Sequence, residues 1–171
     1  MMSDTLAKAM NEQINAEFYS AYLYLSMSAW CEAQGLAGSA HWLRLQAQEE
    51  TVHAMKIYDY LAERDAAVKL TAIDEPPAAW DGPLAIFEGA YEHEQKVTAM
   101  IDNLVNVAQE NSDHAAVAFL QWFVTEQVEE ESSAREVADK FKMVGDNGGA
   151  MYMIDKELAQ RVFTPPADEE G

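Results

Sequence analysis

Glu50 and His53 stand three residues apart in QAQEETVH, a spacing that puts a carboxylate and an imidazole side by side on one helical face. Three more segments each carry an acid on an apolar face. Glu17 is in line with Ile14, Phe18, Ala21 and Leu25, and Glu94 with Leu84, Phe87, Tyr91, Ile101 and Val105. Gln127 and Glu130 follow Ala116, Leu120, Phe123, Ala134, Val137 and Phe141 in the same way. Desolvating a lone carboxylate costs several kcal/mol, so four helices that aim acids at a common core need a compensating positive charge, and a metal pair is the usual one. Mixed carboxylate and imidazole donors suit iron, manganese or zinc, whereas magnesium and calcium take oxygen almost alone. Four carboxylates can hold two divalent ions, and Glu50, beside His53 and facing Glu17 and Glu94, is the expected bridge. Taken singly, each acid reads as a solvated residue on a polar face. The four stripes are independently apolar, which turns the balance.

The neighbouring acids are less clear-cut. QVEEES, with Glu126, Glu129 and Glu131, has the pattern of a wet helix face. Glu49 points about 100° away from Glu50 and can pair with Glu126 and Glu129 as an outer metal position. Tyr24, two turns along from Glu17, can hydrogen-bond a ligand or supply an electron; its plain role is a core tyrosine with a satisfied hydroxyl, and Trp122 is similar. His41, His93 and His114 share no stripe with the acids and are expected to take no part in metal binding.

The elements that position these groups follow from breakers and caps. Ser3 or Asp4 caps a first helix over about 4–33, stopped at Gln34-Gly35, and a second runs over about 38–64 with Leu43, Gln46, Glu50, His53, Ile57 and Leu61 on one stripe. The few residues between them make the two antiparallel neighbours. Residues 65–80 lack helical periodicity, include Pro76-Pro77, and are long enough to travel the length of a helix. Asp81 is the expected cap of a third helix over about 81–110, and Ser112 or Asp113 of a fourth over about 113–144. After the breaker GDNGG a short apolar helix over about 150–163 needs a partner surface, for which self-association is a natural answer; 164–171 reads as a flexible tail. The expectation is one all-α domain over 1–171, a four-helix bundle with one long crossover and a short fifth helix.

Composition bounds the partners. The chain has 171 residues, and 30 acidic against 11 basic side chains give a formal charge of -19. That field repels phosphate backbones and anionic lipids, so no nucleic acid and no membrane surface is expected, while it draws cations in. Cys31 is the only cysteine, which excludes an intrachain disulfide and a thiolate zinc site, and no run is apolar for the roughly 18 residues of a spanning helix. A cytoplasmic location is expected.

The segments NEQINAEFYSAYLYLSMSAW, HWLRLQAQEETVHAMKIYDYL, the Glu94 helix and FLQWFVTEQVEEE resemble the non-haem ferritins of bacteria, from about residue 4 to 163. A four-helix bundle with one long crossover is also the architecture of ferritin-like di-iron proteins. The resemblance implies a first ferroxidase iron site at Glu17, Glu50 and His53, a second at Glu50, Glu94 and Glu130, Gln127 and Tyr24 beside them, and a third iron position at Glu49, Glu126 and Glu129. It implies oxidation of two Fe(II) by O2 or H2O2 and storage of the ferric oxide in a homo-oligomeric shell of 24 subunits. Glu130 stands where a bacterioferritin offers histidine and Thr51 where its haem-ligating methionine is expected, so no haem is implied; a rubrerythrin would show a second Glu-x-x-His. Val52 and Met55 are not acidic, unlike the inner nucleation cluster of animal heavy chains, and Val117 and Leu120 replace acids that line the animal three-fold pore.

Three functions follow in order of expectation: an iron-storage ferroxidase, a di-iron oxidase protecting against peroxide without storage, and a non-enzymatic acidic helical scaffold.

Overall fold

In the computed structural model, which describes residues 2–164, five helices are present among the described residues and no strand: α1 (Asp4–Ala33), α2 (Ala37–Glu63), α3 (Pro83–Glu110), α4 (His114–Val144) and α5 (Gly148–Leu158). The fold is a four-helix bundle with a short C-terminal helix. Ser3 rather than Asp4 is the cap of α1, accepting from the Leu6 amide at 3.2 Å, and Asp113 rather than Ser112 caps α4, accepting from Ala116 N at 3.0 Å. At the other end of α1, Gly35 takes φ 78. Its N–H donates to Glu32 O and that of Leu36 to Cys31 O, a reversal that satisfies two end carbonyls and turns the chain into α2.

The expected Asp81 cap is not made. Gly82 occupies that position without a side-chain bond, and Pro83, whose missing N–H is no loss in a first turn, opens α3. Asn147 accepts from Ala150 N at 3.0 Å, which starts α5 two residues ahead of expectation, and α5 ends at Leu158, well before 163. Apart from Thr164, the expected flexible tail lies outside the described residues.

Residues 64–82 carry no regular structure and run beside α1. Asn11 donates to Ala67 O at 3.0 Å and accepts from Lys69 N, Asn15 donates to Ala72 O at 2.9 Å, and Ser26 donates to Pro77 O at 2.5 Å. The segment therefore ascends in the same sense as α1, and α3 starts at the end of the bundle where α2 starts. α2 and α3 run parallel, as a long crossover requires.

Apolar burial is divided into two bodies. One holds Leu23, Met27, Leu43, Phe87, Val137 and Phe141; the other holds Met10, Ile14, Ile57, Ile101, Leu120 and Phe123. Leu120, set by the family resemblance opposite pore-lining acids, is fully buried in the second body and lines no surface. Between the two bodies every long helix contributes polar side chains to one buried layer: Gln13 and Glu17, Gln46, Glu50 and His53, Glu94, and Gln127 and Glu130.

Candidate metal centre

The periodicity that makes each helix amphipathic carries these polar groups inward, because a stripe at 3.6-residue spacing faces the core whatever stands at its mid-point. Glu17, Glu50, Glu94 and Glu130 are all buried. The donor atoms of Glu17, Glu50 and His53 lie within 4.8 Å of one another, and so do those of His53, Glu126 and Glu130. His53 thus stands between two carboxylate pairs. Its ring is held edge-on against Trp122 at 5.3 Å and Phe123 at 6.0 Å, and its Nδ1 is 3.4 Å from Glu50 Oε2.

The remaining acids are held by neutral donors. Gln13 Nε2 donates to Glu17 Oε1 at 2.8 Å and Gln46 Nε2 to Glu130 Oε2 at 2.7 Å. Glu94 accepts from Tyr24 Oη on one oxygen and from Gln127 Nε2 on the other at 3.2 Å, and Gln127 Nε2 also reaches Thr98 Oγ1 at 3.3 Å. Glu94 joins neither close group. Glu17 Oε2, both Glu50 oxygens and Gln46 Oε1 are buried with no hydrogen-bond partner. Buried acceptors are seldom left unpaired, so the middle of the layer is short of positive charge.

Electrostatics say the same. Burial raises Glu50 well above the usual carboxylate range, with the charges of Glu94, Glu17 and Glu130 adding to it. Burial likewise pushes Glu94 up to about 7, opposed by the Tyr24 and Gln127 bonds, and Glu130 up to about 8, with Glu94 adding and His53 opposing. Burial, then Glu94 and Glu50, raise the Tyr24 phenol, which stays protonated and donates to Glu94. The unpaired oxygens, the imidazole and the mutual repulsion fit divalent cations of the kind that accept both oxygen and nitrogen.

The outer group departs from expectation. Glu126 sits with His53 and Glu130, whereas Glu49 is engaged by Arg161, its oxygen 2.7 Å from Nη2. Glu129 joins neither close group. His93 pairs with Ser20 Oγ at 2.7 Å and packs against Tyr19 and Tyr24; burial lowers it to about 4. His41 pairs with the Arg161 carbonyl at 2.8 Å.

The sequence placed Gln46 on the same stripe as Glu50 and His53 without giving it a role, and Gln13 was not singled out. Each stands four residues before an inward acid, Glu17 and Glu50, and that repeated spacing was the available signal.

Helices of this number and order, closing on a buried layer of carboxylate and imidazole donors, define a four-helix bundle with a candidate metal centre at its middle. The chain matches the family Ferritin, a ferritin-like domain, over residues 7–144, and it belongs to that family. It is 45% identical over 161 residues to a bacterial non-heme ferritin of Bacteroides fragilis, covering 94% of this chain and 100% of the relative. A bacterial non-heme ferritin of Campylobacter jejuni is 42% identical, with 92% and 95% covered. Among solved structures, an open pore ferritin of the hyperthermophilic archaeon Archaeoglobus fulgidus superimposes with a TM-score of 0.94 at 49% identity, covering 95% of this chain and 100% of that one.

Proposed function

We propose that this protein is an iron-storage ferroxidase whose buried layer binds two Fe(II) as substrate, and that the single observation carrying the reading is the set of unpartnered oxygens on Glu17 and Glu50 beside His53. Glu17, Glu50 and His53 take one ion, and Glu50, Glu94 and Glu130 the other, with Glu50 bridging. Gln13, Gln46 and Gln127 orient carboxylates, and Tyr24 holds Glu94.

The protein supplies geometry and charge. Each Fe(II) gives up one electron; O2 takes both with two protons and leaves as H2O2, or H2O2 takes both with two protons and leaves as two waters. Carboxyls that hold protons near neutrality, Glu94 and Glu130, release them when iron arrives, so metal loading and proton release are linked. Glu126 and Glu129, with Glu49, form a weaker third position on the outer side of His53.

Storage requires a shell. Tyr22 and Leu25 on α1, Val128 and Met143 on α4, and Tyr152 and Met153 on α5 are exposed apolar side chains, which supports burial against further copies, and we place the chain in a homo-oligomer of 24 subunits. No haem enters the scheme; the Thr51 hydroxyl donates to its own helix at Ala47 O. We place the protein in the cytoplasm, where the buried Cys31 thiol, pushed up to about 12 mainly by burial, stays reduced. Among the described residues no helix is long and apolar enough to cross a membrane.

The test is aerobic Fe(II) addition followed by stopped-flow absorbance, alongside particle mass. Fast oxidation abolished by His53→Ala, in a particle of shell mass that retains mineral, supports the reading. Oxidation by a dimer that keeps no iron would favour a peroxide-protecting oxidase, and absence of stoichiometric iron would favour an acidic scaffold.

A further inference from the structure

Glu49, the carboxylate expected at the outer position, already has a cation. Arg161 Nη2 is 2.7 Å from Glu49 Oε2, and both side chains are mostly shielded from solvent. The guanidinium lies over the Trp42 ring, 4.6 Å from its centroid, and the Arg161 carbonyl is fixed by His41. Nη1 is buried with no partner of its own.

The docking of α5 brings this residue there. α2 begins after Leu36, which offers no side-chain cap. Asp155 of α5 supplies one, accepting from Gly38 N at 3.0 Å, Ser39 N at 2.7 Å and Ser39 Oγ at 2.9 Å. The approach is so close that a Cβ at Gly38 would sit 1.7 Å from the Asp155 carbonyl oxygen. With α5 pinned at the start of α2, the segment after Leu158 lies along α2 from His41 to Glu49. The side chain that arrives is a planar guanidinium fork whose geometry matches a carboxylate.

We propose that Arg161 is a specificity-determining residue of the outer metal position: a tethered cation that occupies Glu49, so that a metal ion gains this carboxylate only by displacing it. The inference rests on the reading of Glu49, Glu126 and Glu129 as a third position. With Arg161 in place, the outer position offers Glu126 and Glu129, with His53 and Glu130 shared with the inner layer. With Arg161 displaced, it offers one acid more. Iron therefore fills the inner pair first, and occupancy of the outer position loosens the C-terminal segment from α2.

Anaerobic calorimetric titration with Zn(II), which is redox-inert, tests this in the assembled wild type, Arg161→Gln, Arg161→Lys, Glu49→Gln and the Arg161→Gln/Glu49→Gln double variant. The expected result is an unchanged tight inner pair in all five. The additional weaker ion should bind about tenfold more tightly in Arg161→Gln, with Arg161→Lys between it and wild type and the gain cancelled in the double variant. In wild type, Zn(II) beyond the inner pair should also speed amide exchange over residues 159–164, and in Glu49→Gln exchange there should be fast from the outset. Equal affinity for the additional ion in wild type and Arg161→Gln, with the inner pair intact, overturns the role of Arg161 alone. Loss of the inner pair in wild type instead overturns the di-metal reading of the preceding section.

Discussion

Glu50 Oε2 lies 3.4 Å from His53 Nδ1 across one turn of α2, and neither oxygen of Glu50 has a hydrogen-bond partner. A buried acid in that state opposes folding of the metal-free chain, so it is a group retained for what it binds rather than for what it stabilises. Glu50→Gln keeps the shape and removes the charge. It is expected to slow Fe(II) oxidation at least about 100-fold, since outer partners of ligands alone are worth 10 to 100-fold, while leaving the metal-free thermal midpoint unchanged or higher. Stopped-flow absorbance and calorimetric denaturation read the two effects separately.

Stability and metal affinity should respond to pH in opposite directions. Glu94 is raised to about 7 and Glu130 to about 8, so the folded chain holds these protons more tightly than the unfolded chain, whose carboxyls titrate near 4.5. Their contribution is complete below that value and is lost as pH rises through the folded values. The metal-free midpoint should therefore fall between about pH 5 and about pH 8, and Zn(II) affinity should rise over the same interval because the ligands must shed protons. Denaturation and titration at matched ionic strength check both slopes.

The contact between α5 and α2 sets a third expectation. Gly38→Ala would force the Asp155 backbone away, and overpacking of this kind costs about 1 to 3 kcal/mol. Asp155→Ala removes the cap that α5 lends to α2, a loss of about 0.5 to 2 kcal/mol. Both should lower the thermal midpoint and speed amide exchange in α5, with α3 unaffected.

Tyr24→Phe leaves Glu94 with only the Gln127 donor on its carboxylate. Losing the Tyr24 bond removes an influence that lowers Glu94, so its carboxyl should hold its proton more tightly. Metal affinity at about pH 6.5 is expected to drop about tenfold, and the deficit should shrink as pH approaches about 8.5. Titration at the two pH values measures it.

The four inward stripes were legible because an acid among Ile14, Phe18 and Ala21, or between Phe87 and Ile101, breaks an apolar pattern visibly. The crossover was legible from the Pro76-Pro77 stretch without period. Gln46 stood on the inward stripe of α2 but with no role, and Gln13 was harder still to see, since a neutral amide on a stripe raises no question of charge. The partner of Glu49 could not be read at all. It depends on the missing Cβ of Gly38 and on Asp155 bringing Arg161 back over α2, a contact between residues more than a hundred positions apart.

The most direct test is a crystal soaked anaerobically in ferrous salt, with anomalous difference density recorded at the iron edge. Two peaks are expected per subunit, one among Glu17, Glu50 and His53 and one toward Glu94 and Glu130 with Glu50 shared. Density from water alone among these five side chains would contradict the account.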